Sequence, residues 1–121
     1  MIHLIFCLRR LPHLSREEFQ RYWRETHAPL VRASAAALGI RRYVQAHTID
    51  HPVADAARVA RGAGDDYDGV AELWFDEDAW ERRGTAPESI AAGRQLLEDE
   101  RRFIDLARSP IFFARDHEVI A

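Results

Sequence analysis

The chain has 121 residues, 47% of them hydrophobic, and a formal net charge of -3, which fits one domain spanning residues 1–121 and gives no electrostatic footprint for nucleic acid. All 17 basic residues are arginine, so no side-chain lysine exists for imine or pyridoxal-type chemistry, and the single cysteine, Cys7, excludes an internal disulfide and a thiolate metal cluster. The opening apolar run is too short to span a membrane and carries neither a basic leader nor a cleavage site, so no membrane partner is expected and the expected location is cytoplasmic.

Ile2 to Leu8 reads as a buried strand with Cys7 as a small hydrophobe, followed by a turn around Pro12. Ser15 with Glu18 three residues on forms a capping box, and Leu14 and Phe19 stand at the positions of a hydrophobic staple, so a helix starts near Arg16. Phe19, Tyr22, Trp23, Thr26, His27 and Leu30 then recur at helical spacing and share a face. Pro29 removes a backbone donor and disfavours a helical Ala28, so a kink or break is expected just past His27, before the helix resumes and stops at Gly39. A histidine on this aromatic face is either a site residue or a core group satisfied by a strand carbonyl.

Ile40 to Thr48 alternates as a second strand. The segment from Ile49 to Asp68 is a long connection with room for a short helix near Val53 to Ala60, and Asp65, Asp66 and Asp68 read as a solvated turn. Gly69 to Phe75 is the third strand; Asp76 caps a short helix through Trp80. Thr85 and Glu88 form a second capping box with Pro87 in the first turn, opening a long helix whose apolar stripe is Ile90, Leu97 and Ile104, backed by Leu96 and Phe103, and which Ser109-Pro110 stops. Ile111 to Ile120 is the last strand.

The order strand, helix, strand, strand, helix, strand predicts an α+β fold, the ferredoxin-like βαββαβ sandwich with an antiparallel sheet covered by helices on one face. Neither side of the first strand is polar, so the other face needs a partner, and a second copy packing sheet on sheet makes a homodimer.

Alternation along the strands groups Tyr43, Gln45 and His47 on one side, with Glu72 and Trp74 on the third strand and Arg115 and His117 on the fourth expected to join them; Val44, Ala46, Ala71, Leu73, Phe75, Phe112 and Ala114 are read as core. Aromatic walls with a few converging polar groups are the usual form of a small-molecule pocket. There His27 and His47 are the candidate acid–base catalysts, Glu72 an orienting group or base, Tyr43 a donor to a developing enolate oxygen, and Tyr22, Trp23 and Trp74 the substrate-binding walls. Glu72 has the competing reading of an ion pair with Arg42 or Arg115, and His117 that of a solvated group. The pocket lies either between sheet and helices, which His27 favours, or inside a dimer, which the strand set favours. His47 and His51 straddle a strand end and Pro52, so no metal site is expected; Gly62-Ala63-Gly64 follows no strand and is no phosphate cradle; no serine nucleophile elbow occurs.

The runs Leu14-Ser15-Arg16-Glu17-Glu18-Phe19, Tyr22-Trp23, His27-Ala28-Pro29-Leu30, Gly39-Ile40-Arg41-Arg42-Tyr43-Val44-Gln45 with His47, Tyr67 to Phe75, and Asp99-Glu100 with Phe103 together resemble the EthD family over nearly the whole chain. The Trp23-x-x-x-His27-x-Pro29 element is the most specific of them. The resemblance implies a dimeric α/β barrel of ferredoxin-like subunits that needs no bound cofactor in most relatives. It brings in cofactor-free monooxygenases, polyketide cyclases, and dehydratases and decarboxylases, and a family name taken from an accessory protein of oxidative ether degradation. The stretch from Ile49 to Tyr67 matches least. The expected function is cofactor-free acid–base chemistry on a small aromatic or ketide-like molecule; the alternatives are an oxidoreductase or accessory of an oxidative catabolic pathway, and a non-catalytic small-molecule binding dimer.

Overall fold

The computed structural model describes all 121 residues. Its elements are β1 (Ile2–Leu8), α1 (Arg16–Tyr22), a π-helical turn (Trp23–His27), α2 (Ala28–Leu38), β2 (Ile40–His47), α3 (Pro52–Arg61), β3 (Gly69–Phe75), α4 (Glu77–Arg82), α5 (Pro87–Glu100), a 3₁₀ turn (Leu106–Arg108) and β4 (Ile111–Ala114). The strands form one antiparallel sheet in the order β2-β3-β1-β4, with α1, α2 and α5 on one face, the ferredoxin-like arrangement.

The N-terminus of α1 forms as its residues dictate: Ser15 Oγ accepts from Glu18 N at 3.0 Å and Glu18 Oε1 accepts from Ser15 N at 3.0 Å. The irregularity expected after His27 falls before it instead. The chain widens into a π turn in which Ala28 N–H bonds Trp23 O, and Pro29 enters the first turn of α2, where no donor is required of it. Gly39 closes α2 at φ 69°, and a Cβ there would fall 2.2 Å from Ala79 Cβ, so glycine is needed for both conformation and space.

The second half departs further from expectation. Ala86, not Thr85, is the N-cap of α5, and no side chain caps it. The helix ends at Glu100, so Phe103 and Ile104 enter the core from the following turn and not along a helical stripe. α5 buries Ser89, Ala92, Leu96 and Asp99, while Ile90 and Leu97 remain 41% and 39% exposed. Two stripes one residue apart compete on such a helix, and the one with small residues wins because it lets α5 approach α2 closely, with Ser89 Oγ donating to Ala37 O at 2.6 Å. β4 is only Ile111–Ala114, leaving Arg115 and His117 outside the sheet.

The acidic turn is solvated only in part: Asp65 is exposed, but Asp66 and Asp68 turn inward to arginines. Asp68 is buried, accepts from Arg10 N at 2.8 Å and Arg16 Nε at 3.0 Å, and pairs with the Arg10 guanidinium; Arg16 also bonds Asp66 at 2.7 Å. Burial alone would push the Asp68 carboxyl up, but these arginines hold it below its ordinary value. The cluster pins the start of α1 to the entry of β3.

Candidate active site

Cross-strand register decides which alternating sets share a face. Tyr43 lies opposite Leu73, Gln45 opposite Ala71 and His47 opposite Gly69, while Glu72 lies opposite Val44 and Trp74 opposite Arg42. Partners across a ladder point the same way. Tyr43, Gln45 and His47 therefore stand under the helices with Leu4, Phe6 and Leu8, and Glu72 and Trp74 stand on the opposite, uncovered face with His3, Ile5 and Cys7. The expectation that they form one polar face is overturned. Alternation within a strand yields two sets, but only the register between strands tells which sets belong together.

On the uncovered face, Glu72 and Trp74 are committed to neighbours. His3 stacks on Trp74 with ring centroids 4.1 Å apart, its Nδ1 bonds Asp116 Oδ1 at 2.6 Å, and its Nε2 lies 3.1 Å from Glu72 Oε1 without hydrogen-bond alignment. Trp74 Nε1–H donates to Asp116 Oδ2 at 2.8 Å, and Arg42 covers the indole at 4.5 Å. Glu72 thus faces a histidine, neither of the arginines expected; Arg115 pairs with Glu77.

Under the helices lies a cavity of about 220 Å³. Leu4, Phe6, Leu73, Phe75 and Leu96 supply apolar wall, and four groups bring polar chemistry to it: His27, Tyr43, Arg83 and Glu100. The volume falls below the ~300–1,000 Å³ usual for ligand sites, which suits a guest of one ring or a short chain.

His27 is 5% exposed. Its Nδ1 lies 2.7 Å from Asp99 Oδ2, and Asp99, itself 2% exposed, also accepts from Tyr22 Oη at 2.6 Å and Arg102 Nη1 at 3.0 Å. Burial raises the Asp99 carboxyl, but these donors outweigh it and hold the group below its ordinary value, hence ionised. An ionised carboxylate only accepts, so His27 Nδ1 carries a proton. Burial pulls the His27 imidazole below its ordinary value, more than Asp99 pulls it up, so the ring is neutral at pH 7. The remaining nitrogen, Nε2, is then a bare lone pair on a ring that lines the cavity. The π turn offsets the helix by one residue between Trp23 and His27, and both side chains are buried on the sheet side as a result.

Tyr43 contributes a phenol whose oxygen accepts from Gln45 Nε2 at 2.8 Å, and burial pushes that phenol above its ordinary value, keeping it protonated. Gln45 Nε2 also bonds Trp23 O at 3.0 Å, and Gln45 Oε1 accepts from His47 Nε2 at 2.8 Å. His47 is outside the cavity lining: it stacks behind Trp23 with centroids 4.5 Å apart, and burial together with Arg24 holds it below its ordinary value. The Trp23 ring also presses on Gly69, where a Cβ would sit 2.4 Å from it. Trp23 is thus clamped between a glycine backbone and an imidazole.

Of the seven residues expected to form the site, His27, Trp23 and Tyr43 line the cavity; His47 stacks behind Trp23, and Tyr22 reaches His27 only through Asp99; Glu72 and Trp74 are on the other face. Three polar residues were missed: Asp99, Glu100 and Arg83. Asp99 was discoverable, because it falls three residues after Leu96 on the buried face of α5, where a carboxylate needs a partner. Glu100 follows it, and burial, with repulsion from Asp99, pushes its carboxyl up to about 7. Arg83 follows α4 and carries no local signal.

The chain matches the EthD domain family over residues 11–107. No curated protein sequence matches it significantly. Among solved structures it is similar to an EthD family protein from Bacillus halodurans, with a TM-score of 0.62 and 19% identity over 97% of this chain and 99% of that one. An EthD-like protein from Ralstonia eutropha aligns with a TM-score of 0.60 and 12% identity, covering 94% and 90%. A dimeric protein of unknown function with a ferredoxin-like fold from Bacteroides fragilis aligns at 0.57 and 14%, covering 95% of each chain. At these identities the structural likenesses establish the fold alone.

Proposed function

The chain belongs to the EthD domain family, and from that premise we propose that it is a small-molecule acid–base enzyme with His27 as the base, oriented by Asp99. The observation that carries this reading is the buried Asp99–His27 pair at 2.7 Å beside an apolar cavity. A neutral imidazole fixed through Nδ1 is poised to accept a proton at Nε2. In a carbonyl substrate, Nε2 takes a proton from the carbon next to the carbonyl, the electron pair moves to oxygen, and Tyr43 Oη–H donates to the enolate that forms. The imidazolium then returns the proton to another carbon or to a departing hydroxyl. The catalysis is assigned to side chains alone, without a cofactor.

The uncovered face supports a homodimer. Ile5, Cys7, Val44, Val70 and Phe112 form an apolar row there with partial exposure, and the Bacteroides fragilis relative is described as dimeric. No helix is long and apolar enough to cross a membrane.

The test is exchange of the α-hydrogens of cyclohexanone for deuterium in D₂O, followed by proton NMR. Wild-type protein is expected to accelerate exchange, and His27→Gln to lose that acceleration by ~10²-fold or more. Equal rates in both proteins would exclude His27 as the base.

A further inference from the structure

Arg83 is a cation that the acid–base reading leaves unused. It is half-buried and lines the cavity; its backbone N–H bonds Trp80 O at 3.2 Å, but its guanidinium makes no hydrogen bond and no ion pair within the protein. Its contacts are aromatic: the guanidinium carbon lies 4.5 Å from the Trp80 ring centroid and 5.1 Å from that of Phe75. Such contacts engage the π face and consume none of the five N–H donors. A guanidinium left this way in an apolar enclosure carries a desolvation cost that an anionic guest would offset.

Glu100 lines the same cavity and attracts Arg83 across it, but the two do not come within ion-pair distance. Its carboxyl, pushed up to about 7, is largely protonated below neutrality and can donate to an anion. Ionised Asp99 adjoins it, so a doubly charged guest such as a phosphate ester meets about twice the repulsion that a singly charged one does. The rest of the lining is chiefly apolar, which calls for an uncharged body.

We propose that Arg83, assisted by Glu100, forms a carboxylate-binding subsite, so that the substrate is a small monocarboxylic keto acid held with its carbonyl toward His27 and Tyr43. The assignment rests on the acid–base reading of the same cavity and adds the substrate's charge class to it. The guest is one ring or a short chain, limited by the cavity of about 220 Å³.

The probes are 4-oxocyclohexanecarboxylate and its neutral carboxamide, with dissociation constants measured by calorimetry at pH 6 for the wild type, Arg83→Gln and Arg83→Lys. Thermal melts verify that each variant is folded. Wild-type protein is expected to bind the acid about tenfold or more tightly than the amide, as one charge-assisted contact provides. Arg83→Gln is expected to erase that preference while leaving amide binding in place, and Arg83→Lys to keep part of it. Equal binding of acid and amide by the wild type, or a parallel loss of both in Arg83→Gln, overturns the subsite. Exchange of the amide's α-hydrogens by wild type but not by His27→Gln, without acid preference, sinks the subsite alone. Acid preference without exchange supports the subsite and sinks the acid–base reading.

Discussion

The two faces of the sheet carry similar residue types and do opposite things with them. Under the helices, a histidine is fixed by a carboxylate and its ring lines an apolar cavity. On the uncovered face, His3 has carboxylates at both nitrogens and an indole stacked on its ring. Histidine near an acid is therefore no mark of a site by itself. What separates the faces is that the His27 ring lines an apolar cavity, whereas His3 has a carboxylate within ion-pair distance of each nitrogen.

The sharpest way to break this comparison is to remove the proposed base and its orienting acid. His27→Gln and Asp99→Asn are expected to lower turnover ~10²- to 10⁴-fold, the range for a general base, with Asp99→Asn acting by releasing the tautomer. Glu72→Gln on the opposite face is expected to leave turnover within about twofold, since surface changes are usually within ~0.5 kcal/mol. A larger loss in the Glu72 variant than in the Asp99 variant would reverse the assignment of the faces.

Filling the covered face is the next test. Gly93 lines the cavity from within α5, and a Cβ added there meets nothing within 4 Å. Gly93→Leu is expected to cut turnover by about tenfold or more by occupying the space a guest needs, while raising the melting temperature, because glycine in a helix interior costs ~0.5–1 kcal/mol relative to alanine. Loss of activity together with loss of stability would mean that the helix had been displaced and the void had not been filled.

The uncovered face is probed by Val44→Arg, which places a charge amid the apolar row. Light scattering is expected to show the mass fall to that of a single chain, with per-subunit turnover held within about twofold as for other surface changes. An unchanged dimer would place the subunit contact elsewhere.

The smallest effect is on stability against pH. The Glu100 carboxyl binds its proton more tightly in the fold, at about 7, than at its ordinary 4.5. Its contribution is thus full below 4.5 and is lost as pH rises through about 7. Melting temperatures of wild type and Glu100→Gln between pH 5 and pH 8 are expected to shift in favour of the variant toward pH 8; a constant difference would mean that Glu100 is not buried in this way.

Local signals carried the fold far. The Ser15–Glu18 box, Gly39 and the alternation of Gly69–Phe75 each depend on residues within a few positions, and all three elements form where those residues dictate. Elements decided by distant contacts were less legible. The stripe on α5 was chosen by how closely Ser89 and Ala92 let it approach α2, and the pairing of strand faces was fixed by register across β2 and β3, including the irregularity between Ile40 and Arg42. In the site, His27 and Trp23 stood out because one helical face carries them both, and the Asp99–Glu100 pair was noticed only as part of a family likeness. Arg83 acquires meaning through Trp80 and Phe75, contacts that only the folded chain assembles.

The most direct test of the Asp99–His27 assignment is ¹⁵N NMR of the His27 imidazole across pH 5 to 8. The account predicts a neutral ring at pH 7 with the proton on Nδ1 and a bare Nε2, titrating below the ordinary histidine value of 6.5. A ring protonated on Nε2, or an imidazolium persisting at pH 7, would contradict it.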